Sequence, residues 1–170
     1  MPNEEKRSCS GGELLPPPDI NDILPILSDI SIFAALSDEQ LCNLVRLLER
    51  IRYKTGERIF TEGEQPSHIY IVMSGRVKLV VGAEQTPLEL AIFQKGECFG
   101  ETSVIGIQPH SATTIAIEET ELLVLSRNTL LELLKSDLEL FSVLILNIAR
   151  EACRRLRKTD QVLLHYFRMS

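Results

Sequence analysis

The sequence predicts a mainly β domain: an eight-stranded antiparallel jelly-roll barrel with helices before it and one long helix after it. Three observations lead there. Between residues 52 and 127 apolar residues recur with a period of two, in runs such as Ile69-Tyr70-Ile71-Val72-Met73, Val77-Lys78-Leu79-Val80-Val81, Leu88-Glu89-Leu90-Ala91-Ile92-Phe93 and Leu122-Leu123-Val124-Leu125. Glycines at 56, 63, 75, 82 and 96 punctuate that region where tight turns are needed. On both sides the period changes to that of a helix. About eight short strands with regular turns fit an antiparallel barrel or jelly roll.

The elements follow in order. Residues 1–19 mix Glu, Lys, Ser and Gly with the run Pro16-Pro17-Pro18, which favours neither helix nor strand, so a mobile tail with a stiff end is expected. Ile20, Ile23, Leu24 and Leu27 have helical spacing, and Ser37 with Gln40 makes a capping box ahead of Leu41, Leu44, Val45 and Leu48. The barrel comes next and completes a unit expected over residues 20–136. Its strand pattern breaks at residues 100–106, too short for a standard helix, and resumes at residues 112–117. An insertion of that kind inside a barrel is a place for function. A helix over residues 128–134 follows, and Asp137 can cap a longer one. Its apolar positions Leu138, Phe141, Ile145, Ile148, Ala152, Leu156, Thr159, Leu163 and Tyr166 advance by three or four, which predicts a helix of about 30 residues over 137–170. Such a helix outreaches a small barrel, and its second half needs a partner.

Composition excludes several classes. The chain has 170 residues, 44% hydrophobic and 25% charged, enough for one core without disulfide or metal support. Its longest apolar stretch, residues 138–149, is interrupted by Glu139, Ser142 and Asn147, so no membrane span and no membrane partner are expected. Residues 1–15 carry no apolar signal region, which suggests a cytoplasmic protein. Cys9, Cys42, Cys98 and Cys153 lie far apart and are expected as free thiols, Cys98 as a small buried hydrophobe. His68, His110 and His165 are dispersed, so no metal site is expected. A net charge of −6 disfavours a nucleic-acid partner. The basic run Arg150, Arg154, Arg155, Arg157 and Lys158 is expected on a solvated helix face. No nucleophile–base pair, phosphate loop or paired catalytic carboxylate stands out, and the chain is read as no enzyme.

The segment from Phe99 to Thr113 carries the chemistry. Gly100 lets backbone approach a ligand, the turn of helix after it points N–H groups at an anion, and Ser103 and Ser111 add hydroxyls. Glu101 beside an anion accepts rather than donates, which suits a sugar hydroxyl. Anion and hydroxyl together describe a sugar phosphate. A polar connection between two strands is the plainer alternative.

With Gly56-Glu57, Gly63-Glu64, Tyr70-Ile71-Val72, Gly75, Val77, Phe93, Gly96-Glu97 and Phe99-Gly100-Glu101 in this order and spacing, the chain resembles the cyclic nucleotide-binding domain family. That family supplies the regulatory module of the bacterial catabolite activators and of kinase regulatory subunits. The resemblance spans about residues 26 to 165 and implies an eight-stranded jelly roll flanked by helices. It implies a ligand, cAMP or cGMP, with no other cofactor, and a cassette in which Glu101 bonds the ribose and an arginine nine residues later pairs with the phosphate. That position is His110, flanked by Pro109 and Ser111-Ala112. A histidine is charged only when protonated, whereas arginine offers a permanent fork. The implied function is a regulatory sensor that binds the cyclic nucleotide weakly or in an altered mode; the alternative is a ligand-free interaction and dimerisation module. A jelly-roll enzyme with an unseen metal is a third class.

The site residues implied are Phe99, Gly100, Glu101, Thr102, Ser103, His110, Ser111 and Ala112, with Thr159 on the last helix matching a threonine that contacts the base. Asp160 stands where a serine follows it in the activators. A parallel homodimer is expected through Ile145, Ile148, Ala152, Leu156, Thr159 and Leu163, and a downstream protein partner is left unnamed. In the transcription factors of this class a helix-turn-helix follows the helix; residues 161–170 are too short for one.

Overall fold

A computed structural model describes residues 11–84 and 86–169. Two antiparallel sheets face each other. One has the strand order β1-β2-β9-β4-β7 and the other β3-β8-β5-β6. The strands are β1 (Glu13–Leu15), β2 (Glu49–Tyr53), β3 (Arg58–Phe60), β4 (His68–Ser74), β5 (Arg76–Val81), β6 (Leu88–Gln94), β7 (Cys98–Phe99), β8 (Thr113–Ala116) and β9 (Thr120–Ser126). The expected eight strands are β2 to β9.

At Glu13–Leu15, β1 departs from the expectation of a mobile tail over residues 1–19. Glu13 pairs with Arg52 and Leu15 with Arg50, covering the edge of β2 that would otherwise expose its backbone groups. Gly12 lets the two strands meet closely, since a Cβ there would stand 2.4 Å from Ile51 Cγ2. Residues 1–10, where Cys9 lies, fall outside the described residues.

The central strands read as unbroken apolar runs because both their faces are buried. Tyr70 and Val72 of β4 and Leu122 and Val124 of β9 point into the barrel, among Tyr53, Phe60, Phe93 and Phe99. Their neighbours Ile69, Ile71, Leu123 and Leu125 point outward into a second core made with the helices. Alternation along a strand thus sends one residue to each core. The hairpin from β4 to β5 turns at Gly75, with φ 80°, where a Cβ would lie 2.5 Å from the Glu119 carbonyl oxygen.

The helical core is assembled from both ends of the chain. Helix α1 (Ile20–Leu27) is capped by Asp19, and α2 (Asp38–Val45) starts with the expected capping box between Ser37 and Gln40. Between them Ser31–Phe33 forms a short 3-10 turn that buries Ile32 and Phe33. Helix α4 (Arg127–Ser136) leads into α5 (Leu138–Met169), 32 residues long, with the Leu140 N–H donating to Asp137 at 3.0 Å. Leu140, Leu144 and Ile148 are buried in this core and Ile145 packs against it, which corrects the expectation that Ile145 and Ile148 belong to a dimer face. Asn147 fixes the register of α5 on the 3-10 turn: its amide nitrogen donates to the carbonyls of Ile32 at 3.2 Å and Ala34 at 2.7 Å. Beyond Ala152 the apolar residues Leu156, Val162, Leu163, Leu164 and Phe167 are exposed. Among the described residues no helix is long and apolar enough to cross a membrane.

Candidate functional site

Strand β7 ends against β4, with Phe99 opposite Tyr70. The chain then turns at Gly100, φ 84°, into the six-residue helix α3 (Glu101–Gly106). Only glycine suits this corner, because a Cβ would lie 2.9 Å from the His68 carbonyl oxygen in a left-handed conformation. The turn drives Glu101 inward until 1% of it is exposed. Its Oε1 accepts from Arg155 Nη1 at 2.7 Å, whereas Oε2, also buried, has no hydrogen-bond partner. Burial pushes the Glu101 carboxyl above the usual carboxylate range, against the opposing pull of Arg155.

Arg155 reaches this carboxylate from α5. Its Nη2 donates to the Cys98 carbonyl, its guanidinium carbon lies 4.8 Å from the centre of the Phe93 ring, and Glu151 stands 3.8 Å from its Nε. Glu151 in turn accepts from Ser31 Oγ at 3.0 Å. One polar chain therefore runs from the cassette through α5 to the 3-10 turn near the N-terminus.

His110 lies in the segment between α3 and β8. It is buried and stacks on Phe60 at 3.7 Å between ring centres, with its backbone bonded to Glu64 and Gly63. Burial lowers its basicity below the ordinary histidine value, and the nearby Glu64 opposes this.

The sequence pairs Gly56-Glu57, Gly63-Glu64 and Gly96-Glu97 are turn devices. In each, the glutamate carboxylate accepts the backbone N–H three residues earlier, at Lys54, Thr61 and Gln94. The second of these turns holds His110 in place, because the Gly63 N–H donates to the His110 carbonyl at 2.8 Å.

Phe99, Gly100, Glu101, Thr102, Ser103, His110, Ser111 and Ala112 all line one cavity of about 60 Å³. Phe60, Leu79, Phe93 and Arg155 complete it. Space for roughly one or two waters remains with the Arg155 side chain in place. A larger cavity of about 240 Å³ lies between α1 and the β2–β9–β4 sheet, where Arg50 and Glu121 neutralise each other at 2.5 Å.

Two expectations are corrected. Thr159 does not reach the cavity mouth: it is exposed, and its hydroxyl donates to the Arg155 carbonyl at 3.1 Å. Arg155, expected on a solvated face, is the α5 residue that closes the cavity. It lies one turn before Thr159, and the helical period puts both on the same side. Its long stem reaches where a threonine cannot. Cys98 is buried as expected, its thiol pushed up to about 12 by burial and by the Glu101 charge.

The model of the family "Cyclic nucleotide-binding domain" matches residues 50–137, just over half of the chain. The chain is 34% identical to the cyclic AMP receptor protein of Thermus thermophilus over 133 residues, 76% of this chain and 58% of that protein. It is 34% identical to human cGMP-dependent protein kinase 2 over 106 residues, 61% of this chain and 14% of the kinase. It thus spans less than two thirds of these relatives. Among solved structures, a cyclic nucleotide-binding domain from Methylobacillus flagellatus superposes with a TM-score of 0.76 at 24% identity, over 86% of this chain and 83% of that one. The Thermus thermophilus catabolite activator protein superposes with a TM-score of 0.69 at 32% identity, over 78% and 61%.

Proposed function

The chain belongs to the cyclic nucleotide-binding domain family, and from that premise we propose that it is a regulatory, non-catalytic sensor that takes cAMP or cGMP weakly or in an altered mode. The observation that carries this reading is that His110, whose basicity burial lowers, lines one cavity with Glu101 where a permanent cation is expected. Glu101 Oε2 is a buried acceptor without a donor, which a sugar hydroxyl satisfies. A phosphate beside His110 meets an aromatic ring instead of a permanent charge. Losing one charge-assisted hydrogen bond corresponds to about 1.5–3 kcal/mol, or roughly ten- to a hundred-fold in affinity.

Signalling follows from Arg155. A ligand large enough to hold a sugar and a base must push the guanidinium off Phe93 and Glu101, which frees α5 from the cassette. That differential contact between two states is what lets a ligand shift an equilibrium. The exposed apolar positions of distal α5 then join a second copy of the chain in a parallel homodimer. Cytoplasmic location and a downstream protein partner complete the proposal.

Calorimetry with cAMP and cGMP on the unmodified protein and on His110→Arg tests it. Weak binding that the substitution tightens supports the sensor. Absence of binding by both proteins supports instead a ligand-free interaction module, which the cavity closed by Arg155 would suit.

A further inference from the structure

We propose that the cavity of about 240 Å³ between α1 and the outer face of the β2–β9–β4 sheet is a second ligand site, and that it takes a small monocarboxylic acid with an apolar body. The site is separate from the cassette cavity, since no residue lining one lines the other. It stands whether or not a cyclic nucleotide binds.

Arg50 supplies the recognition. In β2, Ile51 and Tyr53 belong to the barrel core, so alternation sends Arg50 to the other face, where it pairs in register with Leu123, a residue of the helical core. The guanidinium thus stands at the rim of an apolar layer. Its Nε donates to Glu121 Oε1 at 2.5 Å, whereas Nη1 and Nη2 donate to no group among the described residues. A guanidinium is a planar fork that holds a carboxylate through two parallel N–H bonds, and this one keeps all but one of its donors for such a partner. Glu121 is also shared with a second cation, because Arg52 Nη2 stands 3.9 Å from its other oxygen. The Ser74 hydroxyl, part of the same wall, has no partner among the described residues and is a further donor.

The rest of the wall describes the body of the ligand. Ile23 and Leu123 are buried, while Ile26 and Met73 are half-buried, so an apolar group that enters covers what those two leave exposed. The volume corresponds to roughly eight waters, which is room for about eight to ten non-hydrogen atoms. Asp19 and Glu121 are the carboxylates of the wall, and each repels a second negative charge on the ligand. A dicarboxylate or a phosphate ester is therefore disfavoured. A linear acid of about six to eight carbons, or benzoic acid, meets these conditions of size, charge and polarity. Bound there, it joins α1 to the sheet.

Calorimetry and methyl-labelled NMR on the full chain at pH 7.5 compare hexanoate and benzoate with their uncharged counterparts, hexanamide and benzamide. At millimolar concentration the acids are expected to shift the methyl signals of Ile23, Ile26, Met73 and Leu123, while those of Leu79 and Ala112 in the cassette cavity stay in place. Each amide is expected to bind about ten-fold more weakly or worse, the effect of losing a charge-assisted contact. Arg50→Gln, checked for folding by circular dichroism, is expected to weaken hexanoate by the same factor. The comparison of acid with amide reads the same contact without altering the protein. Equal binding of acid and amide, shifts at the cassette cavity instead, or no shift with either acid overturns the inference. So does a folded Arg50→Gln that binds hexanoate as tightly as the unmodified protein. Each of these results leaves the sensor reading standing, because that reading is tested with cAMP and cGMP.

Discussion

Arg155 and Glu101, 54 positions apart in the chain, meet at 2.7 Å and join the far helix to the cassette inside the barrel. The acid is 1% exposed and the guanidinium side chain 28%, so the pair lies at the cavity's rim with its negative end inside. A carboxylate so placed depends on its partner.

Arg155→Ala removes that partner and leaves Glu101 uncompensated. We expect a loss of about 1–3 kcal/mol, below the full cost of breaking a buried pair because Arg155 is partly exposed. Glu101 already sits above its ordinary value of 4.5 in the folded chain, and losing Arg155 raises it further. The folded state then holds a proton that the unfolded state has released, so stability falls as pH rises from about 4.5 through the folded-state value. Urea unfolding of both proteins at pH 5 and 8 should show the larger difference at pH 8.

Gly100→Ala places a Cβ 2.9 Å from the His68 carbonyl oxygen on a backbone with φ 84°. The strain should cost about 1–3 kcal/mol and displace Glu101. Thermal unfolding should show the loss, and ligand affinity should drop with it. A substitution tolerated at no cost in both measurements would remove the glycine from the account.

Leu156→Glu and Leu163→Glu put charges on the exposed distal face of α5, where these residues are 63% and 52% exposed. Each should convert a dimer into a monomer in light scattering while leaving the melting temperature of the barrel unchanged. A monomeric mass for the unmodified protein at micromolar concentration would contradict the dimer.

Local chemistry made most of the fold legible. β4 and β9 stood out because Ile69 to Val72 and Leu122 to Leu125 are apolar on both faces, and the α2 cap because Ser37 and Gln40 satisfy each other within four residues. β1 was hidden because Glu13-Leu14-Leu15 becomes a strand only through the edge of β2. At the site, eight residues named from the segment Phe99 to Thr113 line one cavity. Arg155 was missed because it belongs to a basic run whose spacing looks solvated, and its contact with Glu101 exists only after the barrel and α5 have packed. Phe60, Leu79 and Phe93 were not named for the site; Phe60 and Phe93 are also part of the barrel core, and Leu79 packs against it.

The central claim is that His110 governs how this cavity treats a phosphate. In the free protein burial holds His110 below 6.5, against Glu64, and a bound phosphate raises it by favouring the imidazolium. The complex thus takes up a proton: cyclic nucleotide affinity is greatest below the free-state value and falls as pH rises through the bound-state value. Glu101 shares the cavity, and comparison with His110→Arg separates its titration from that of His110. The deciding measurement is calorimetric titration of cAMP and cGMP at pH 5.5 and 8 on the unmodified protein and on His110→Arg. The account predicts weaker binding at pH 8 for the unmodified protein, and for the arginine variant a flatter profile with binding about ten-fold tighter or more. Equal affinities of the unmodified protein at the two pH values, with no gain from arginine, would contradict it.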